Sequence, residues 1–424
     1  MPLKRWARLA GALAFSLTAC TPNAAIAPPT SAATAPPIVP STLTPPTGTP
    51  APTIVTLWVP PFLAPDANTD AGALLAARLE AFETIHPGVK LAVRTKETSG
   101  PSGLLETLRA ASVVAPASLP DLIALAPGEI SAAALEERII PYPGPLPPPE
   151  PGAWYGFALD SATVGDTRYG VPSAGQTEVL LYDTDAYGRT PGDWAAMVGG
   201  PAPFLFPAAD PQAAFTLAEY LSAGGLLTQA EGHPAIDPAA LEDVLTFYGS
   251  AYSAGVLPLT SRQYESPSQT ADLFEERRAA SAVAPLDTWM ADPRAGSAAG
   301  ALPTRDGGGI TLARTWSWSL VTNEDDIQAI AVDLVEWLSD PGFLGPWTYA
   351  LGSLPPNAVA LEAWPAGPST TLVQQLVSVA RPVPSRQITE LVGPALRKAV
   401  DAVLSGAMTP QTAALQASTE VAGP

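Results

Sequence analysis

Cysteine is almost missing from this chain. Cys20 is the only one among 424 residues, so no disulfide can form within a single molecule. An exported protein of this kind is held by its core rather than by cross-links. Histidine is nearly as scarce: His86 and His233 are the two present, each beside a proline. That supply falls short of the usual zinc donor sets and leaves a serine-type triad without a well-placed base. Basic residues are few, 21 against 40 acidic ones, for a net charge of −19 and an isoelectric point near 4.4. Such a chain repels phosphate backbones, which argues against nucleic acid as a partner. It equally argues against peripheral attachment to anionic lipid. No glycine-rich loop ending in lysine is present to cradle a phosphate, and Gly307-Gly308-Gly309 reads as a flexible turn. Ala251-Tyr252-Ser253-Ala254-Gly255 approaches a nucleophile elbow, but Ala251 stands where glycine is usual and the stretch ends a helical pattern. No catalytic group, metal or cofactor is expected. What the chain does have is apolar residues, 47% of the total against 14% charged, enough for sizeable cores in two or three domains.

The start of the chain is ordered in a telling way. Lys4, Arg5 and Arg8 precede an apolar run over 9–17, which small residues follow. Basic, apolar, then small is the order of a secretory signal, and the run is far short of the ~20 residues of a spanning helix. Leu17-Thr18-Ala19-Cys20 closely resembles a bacterial lipobox. That resemblance implies removal of 1–19, a lipid on Cys20, and a protein tethered at the outer face of the membrane. An ordinary secretory signal with a chance cysteine is the alternative. From 21 to 52 the sequence is uncharged and almost entirely Pro, Thr, Ala and Ser. It cannot bury enough surface to fold. As extended polyproline II, at ~3.1 Å per residue, it would act as a stalk on the order of 100 Å long.

Beyond the stalk, strand and helix patterns alternate. Residues 54–59 form a β-rich run. A helix over 71–85 carries Leu74, Leu75, Leu79 and Phe82 and stops at His86-Pro87-Gly88. A strand over 89–93, a helix over 104–114 and a buried-type strand over 121–125 follow. After a proline-rich loop over 141–151, strands are expected at 168–172 and 178–182. Helices are expected at 211–223, 238–254, 325–338, 372–380 and 387–404. The alternation predicts an α/β fold with a parallel sheet.

The order of weak motifs resembles the extracellular solute-binding proteins of sugar-type ABC transporters, the maltose-binding-like group. Leu79-Glu80-Ala81-Phe82-Glu83 through His86-Pro87-Gly88-Val89 looks like that family's first helix entering its second strand. Leu119-Pro120-Asp121-Leu122-Ile123, followed by Ile139-Ile140-Pro141-Tyr142, is similar to its next strand and closing segment. Tyr169-Gly170-Val171-Pro172 and then Leu181-Tyr182-Asp183 is the most specific stretch, with Asp183 where the family usually has asparagine. Phe274-Glu275-Glu276-Arg277-Arg278, then Pro285-Leu286-Asp287-Thr288-Trp289, resembles the segment bearing a ligand-stacking tryptophan. Gly352-Ser353-Leu354-Pro355 matches a late turn. The resemblance implies a two-lobed periplasmic-binding-protein-like clamp (type II) with a hinge between its lobes. Lobe 1 would take 53–173 plus 316–364, and lobe 2 would take 174–315 plus 365–424. It also implies a monomer without enzymatic activity that captures a small polar ligand, foremost a sugar, for an ABC transporter permease. A ligand-sensing lipoprotein feeding a membrane signalling partner and a secreted hydrolase are the alternatives.

A sugar site needs flat aromatic faces beside amide or carboxylate groups. By the resemblance, Trp289 is the stacking residue, Gln176 and Glu129 are polar contacts, and Trp58 ends the first strand at the cleft. Trp58 reads equally as a core residue. Trp316 and Trp318, two apart on a strand, share a face directed at either the cleft or the core; Trp318 is included among the ligand candidates. Trp337 lies on an apolar helix face and reads as core. No aromatic occurs over 386–393, where some family members carry a further platform, which argues against a long oligosaccharide.

Overall fold

The computed structural model describes residues 51–229, 233–322 and 324–423. The basic and apolar start, Cys20 and nearly all of the proline-rich stretch lie outside the described residues. Among the described residues, no helix is long and apolar enough to cross a membrane.

Two sheets organise the protein. The first is built on Thr53–Val59, whose β-branched and apolar residues pair in parallel with Val89–Thr95 on one side and Leu122–Leu125 on the other. Every residue of Leu122–Leu125 is buried, as a central strand covered on both faces requires. The long strand Thr311–Leu320 runs antiparallel to Leu122–Leu125 and also pairs with Val171–Gln176. Helices Asp70–Ile85 and Asp325–Leu338 contribute Leu75, Leu79, Phe82, Leu334 and Leu338 to the core around this sheet. The helix Asp70–Ile85 starts where Thr69 Oγ1 accepts from the Gly72 N–H at 3.0 Å.

The second sheet has four strands: Ser297–Gly300, Glu178–Asp183, Ser281–Pro285 and Phe204–Leu205, in that order. Its two faces are separated by the period of two of a strand. Leu180 and Val283 face one core with Phe204, Phe206, Phe215 and Tyr248. Val179, Leu181, Ala282 and Ala284 face another with Phe274, Trp289, Leu361 and Trp364. Helices Pro238–Ser253, Arg386–Leu404 and Pro410–Ala422 cover the first of these faces. The result is a mixed α/β, two-lobed fold.

Several expected elements shift. The strand expected over 168–172 is two: Thr167–Arg168 belongs to a small hairpin, and Val171–Gln176 joins the first sheet. The helix expected from 211 begins at Ala214, because the Asp210 carboxylate accepts from the N–H groups of Gln212 and Ala214 at 3.0 and 2.8 Å and holds Pro211 and Gln212 in a turn. Ser253 closes a helix and donates to the Gly249 carbonyl at 2.8 Å, so no strand–turn–helix elbow exists there.

Candidate functional site

The chain leaves the first sheet at Gln176 and enters the second at Glu178, so these residues link the two sheets. The start of Thr311–Leu320 lies beside them. Thr177 Oγ1 donates to the Leu312 carbonyl at 2.9 Å, and Thr311 Oγ1 donates to the Glu178 carbonyl at 2.7 Å. These bonds stitch two passing segments together. Ala380–Pro382 pairs with Thr311–Ala313 and leads through Val383 and Pro384 to the helix Arg386–Leu404.

Over this floor the first turn of Pro127–Leu135 meets the first turn of Arg386–Leu404. The approach depends on Gly128: a β-carbon there would stand 2.6 Å from Arg386 Cβ and 2.9 Å from its backbone nitrogen. Two connected cavities open at the junction. The outer one, about 420 Å³, runs between Thr98, Ser99 and Glu129 on one wall and Gln212, Arg386 and Glu390 on the other. The second, here called the inner one, is about 210 Å³, adjoins the first and is bordered by Gln176, Glu178, Leu217 and Leu312. Both are lined by Gln212, Arg314, Val383 and Thr389.

Polar partners are specific. Trp316 Nε1 donates to Gln176 Oε1 at 3.0 Å, and Phe62 packs edge-on to the indole at 5.2 Å. Arg314 Nη2 donates to Gln212 Oε1 at 2.9 Å, and Arg386 Nε to Glu390 Oε1 at 2.6 Å. Glu129, 7% exposed, accepts from the Ala126 N–H at 3.1 Å. Burial raises its pKa above the ordinary carboxylate range, against the pull of that bond and of Arg386 and Arg314. Glu178 is pushed up to about 8, chiefly by burial and further by Asp210, with Arg314 opposing. Glu178 is half-buried and borders the inner cavity. The site can thus offer hydrogen-bond donors and acceptors from both sides of a shielded space.

Of the residues expected at the site, Glu129 and Gln176 border these cavities. Trp58, Trp289 and Trp318 do not. They are 2%, 5% and 1% exposed and pack in the cores beneath the sheets. The tryptophan that reaches the cleft is Trp316. Where the family resemblance left 386–393 without an aromatic, the structure places Arg386, Thr389 and Glu390 at the outer cavity. Sequence reasoning missed Glu178, Gln212, Arg314 and Arg386. The available signals were an acid opening an apolar run at Glu178 and an isolated arginine inside the strand that holds Trp316.

No curated protein matches the chain in sequence. Solved structures share its fold. The sugar-binding protein MalE from Xanthomonas citri is 18% identical with a TM-score of 0.73, over 87% of this chain and 96% of that one. The cyclic α-maltosyl-1,6-maltose binding protein from Arthrobacter globiformis is 18% identical with a TM-score of 0.69, over 88% and 98%. The GacH receptor of Streptomyces glaucescens, solved unliganded and with acarbose, is 17% identical with a TM-score of 0.66, over 87% and 97%. The family described as bacterial extracellular solute-binding protein matches residues 66–343, well over half of the chain. This chain therefore belongs to the bacterial extracellular solute-binding proteins, a family of binding proteins rather than enzymes.

Proposed function

We propose that this protein captures a small carbohydrate in the cleft at Glu129, Gln176, Gln212, Arg314 and Arg386 and presents it to an ABC transporter permease. The carrying observation is that amide, guanidinium and carboxyl groups from both walls converge on one shielded space beside the link between the two sheets. A sugar's hydroxyls need such mixed donors and acceptors. The sugar-binding proteins of the same fold support the reading. Lobe 1 is assigned 53–173 with 316–364, and lobe 2 the remainder of 174–424. A ligand touching both selects the closed form by its differential affinity. The lipid on Cys20 holds the protein at the outer membrane face, beside its permease.

The test is a thermal-shift screen of the full chain against sugars, polyols, amino acids, polyamines and organic acids. A ligand of the folded state at 100 times its Kd adds about 2.7 kcal/mol of stability. One sugar class should raise the melting temperature, and Gln212→Ala should remove the rise. A response to organic acids alone would overturn the carbohydrate reading. For the anchor, Cys20→Ser should release the protein from the membrane fraction; retention would refute lipidation at that residue.

A further inference from the structure

The inner cavity has a chemistry of its own. Its body is apolar, formed by Leu217, Ala218, Pro267, Pro285, Leu302 and Leu312. Glu178 borders it, and among the described residues its carboxyl has no hydrogen-bond or ion-pair partner. Glu178 is half-buried, and a carboxyl partly withdrawn from water without a partner is disfavoured in its charged form. Gln176 and Gln212 line the same cavity, so neutral amides are already present there for hydroxyl recognition. A carboxyl adds what an amide lacks: a negative charge.

The surrounding charges favour a positive guest. Around Glu178 stand Asp210, ahead of the helix Ala214–Ser222, and Arg314 on the long crossing strand. The other cavity walls bring only neutral residues. Two carboxylates against one guanidinium leave a net negative site when ionised. Arg314 is also held by its bond to Gln212 Oε1, and those two residues line both cavities.

We propose that the inner cavity is an ammonium subsite: a solute seated in the outer cleft extends a primary amine on a compact apolar body past the Arg314–Gln212 pair onto Glu178. This rests on the solute-capture reading and narrows its ligand to an amine-bearing one, such as an aminodeoxy sugar. The amine's three N–H donors meet the carboxylate and the Gln176 and Thr177 oxygens along the cavity wall. On binding, Glu178 gives up its proton to solvent and pairs as the carboxylate.

The test uses the full chain with paired probes at matched salt, ethylammonium against ethanol and D-glucosamine against D-glucose, read by melting temperature at pH 7. Each ammonium member should raise the melting temperature several degrees more than its hydroxyl partner. Glu178→Gln should erase that preference. Ala214→Leu fills the cavity from the opposite wall without altering charge. It should abolish the ethylammonium effect while sparing any response to glucose. Calorimetry of ethylammonium, which stays charged throughout, in two buffers should show release of about one proton at pH 7 and less at pH 9. Equal responses to glucose and glucosamine, or a preference that survives Glu178→Gln, overturn the subsite and leave sugar capture intact. A response to ethylammonium without any response to a sugar supports the subsite and counts against the carbohydrate. Silence toward every probe overturns both.

Discussion

In the outer cleft, Glu129 sits on a helix turn and accepts from the Ala126 N–H, with Arg386 and Arg314 near enough to draw its pKa back down. In the inner cavity, Glu178 has no hydrogen bond, one opposing arginine and a second carboxylate beside it. Glu129 is buried and Glu178 half-buried, yet among the described residues only the first has a hydrogen-bond partner. A buried acid with local partners can be explained by the fold alone. One without them is a cost that the fold carries for some other reason, and a ligand is that reason here.

The largest expected effect is on the pH dependence of stability. Glu178 titrates near 8 in the folded chain against an ordinary value of 4.5. Below the ordinary value both states hold the proton and the contribution is fully present. From there upward the unfolded chain ionises while the folded one keeps its proton. Stability therefore falls by about 1.4 kcal/mol per pH unit until the folded value is passed. Urea unfolding of Glu178→Gln at pH 5, 6, 7 and 8 should show this part of the slope removed. Glu129→Gln should remove less of it, since that carboxyl has partners. A larger loss from Glu129 than from Glu178 would reverse the comparison. Glu219, buried beside Trp194, is pushed the same way and sets a background common to both variants.

Next in size is the junction of the walls. Valine at 128 would drive its side chain into the backbone of Arg386. Overpacking costs about 1–3 kcal/mol, and here it is relieved by parting the lobes. Gly128→Val should therefore enlarge the radius of gyration in small-angle scattering and weaken solute capture roughly 5- to 150-fold. An unchanged radius with unchanged capture would show that the outer cleft does not depend on this approach. Because neither Gly128 nor Arg386 lines the inner cavity, ethylammonium binding should be spared.

How far the sequence foretold all this depends on which side chains face water. Helices at Leu104–Val114 and Asp325–Leu338 match their expected bounds because their apolar spacing meets a core on one side only. The long strand Thr311–Leu320 is a different matter. The expected elements include nothing of it beyond the pairing of Trp316 with Trp318 on one face, and its Thr311, Thr315, Ser317 and Ser319 are fully buried although they are polar. Trp58 and Trp318 look like sugar platforms by residue type, but nothing local reveals that each lies beneath a sheet. Gln212 reaches the cleft only because Asp210 delays the following helix by a turn, and Arg386 only because Gly128 admits it. Such residues are set by tertiary approach, which spacing along the chain does not record. Glu129 and Gln176, which line the cavities, come from the family resemblance rather than from spacing, and Gln176 lies between the strands expected at 168–172 and 178–182.

The smallest expected effect probes whether the two cavities share a floor. Trp316 borders the outer one and Gln176 the inner one, and the 3.0 Å bond from the indole to the amide oxygen joins them. Trp316→Phe removes that donor and keeps much of the ring packing against Phe62. It should cost about 0.5–1.5 kcal/mol for the hydrogen bond, read as a lower urea midpoint. Gln176→Leu should cost a similar amount alone and little more when added to Trp316→Phe, since both remove one interaction. A coupling energy close to the single-variant cost would mean that the floor is one unit, so that a solute seated against Trp316 is felt in the Glu178 cavity. Simple additivity would mean that the outer cleft and the inner cavity bind independently, and the amine preference would then survive Trp316→Phe undiminished.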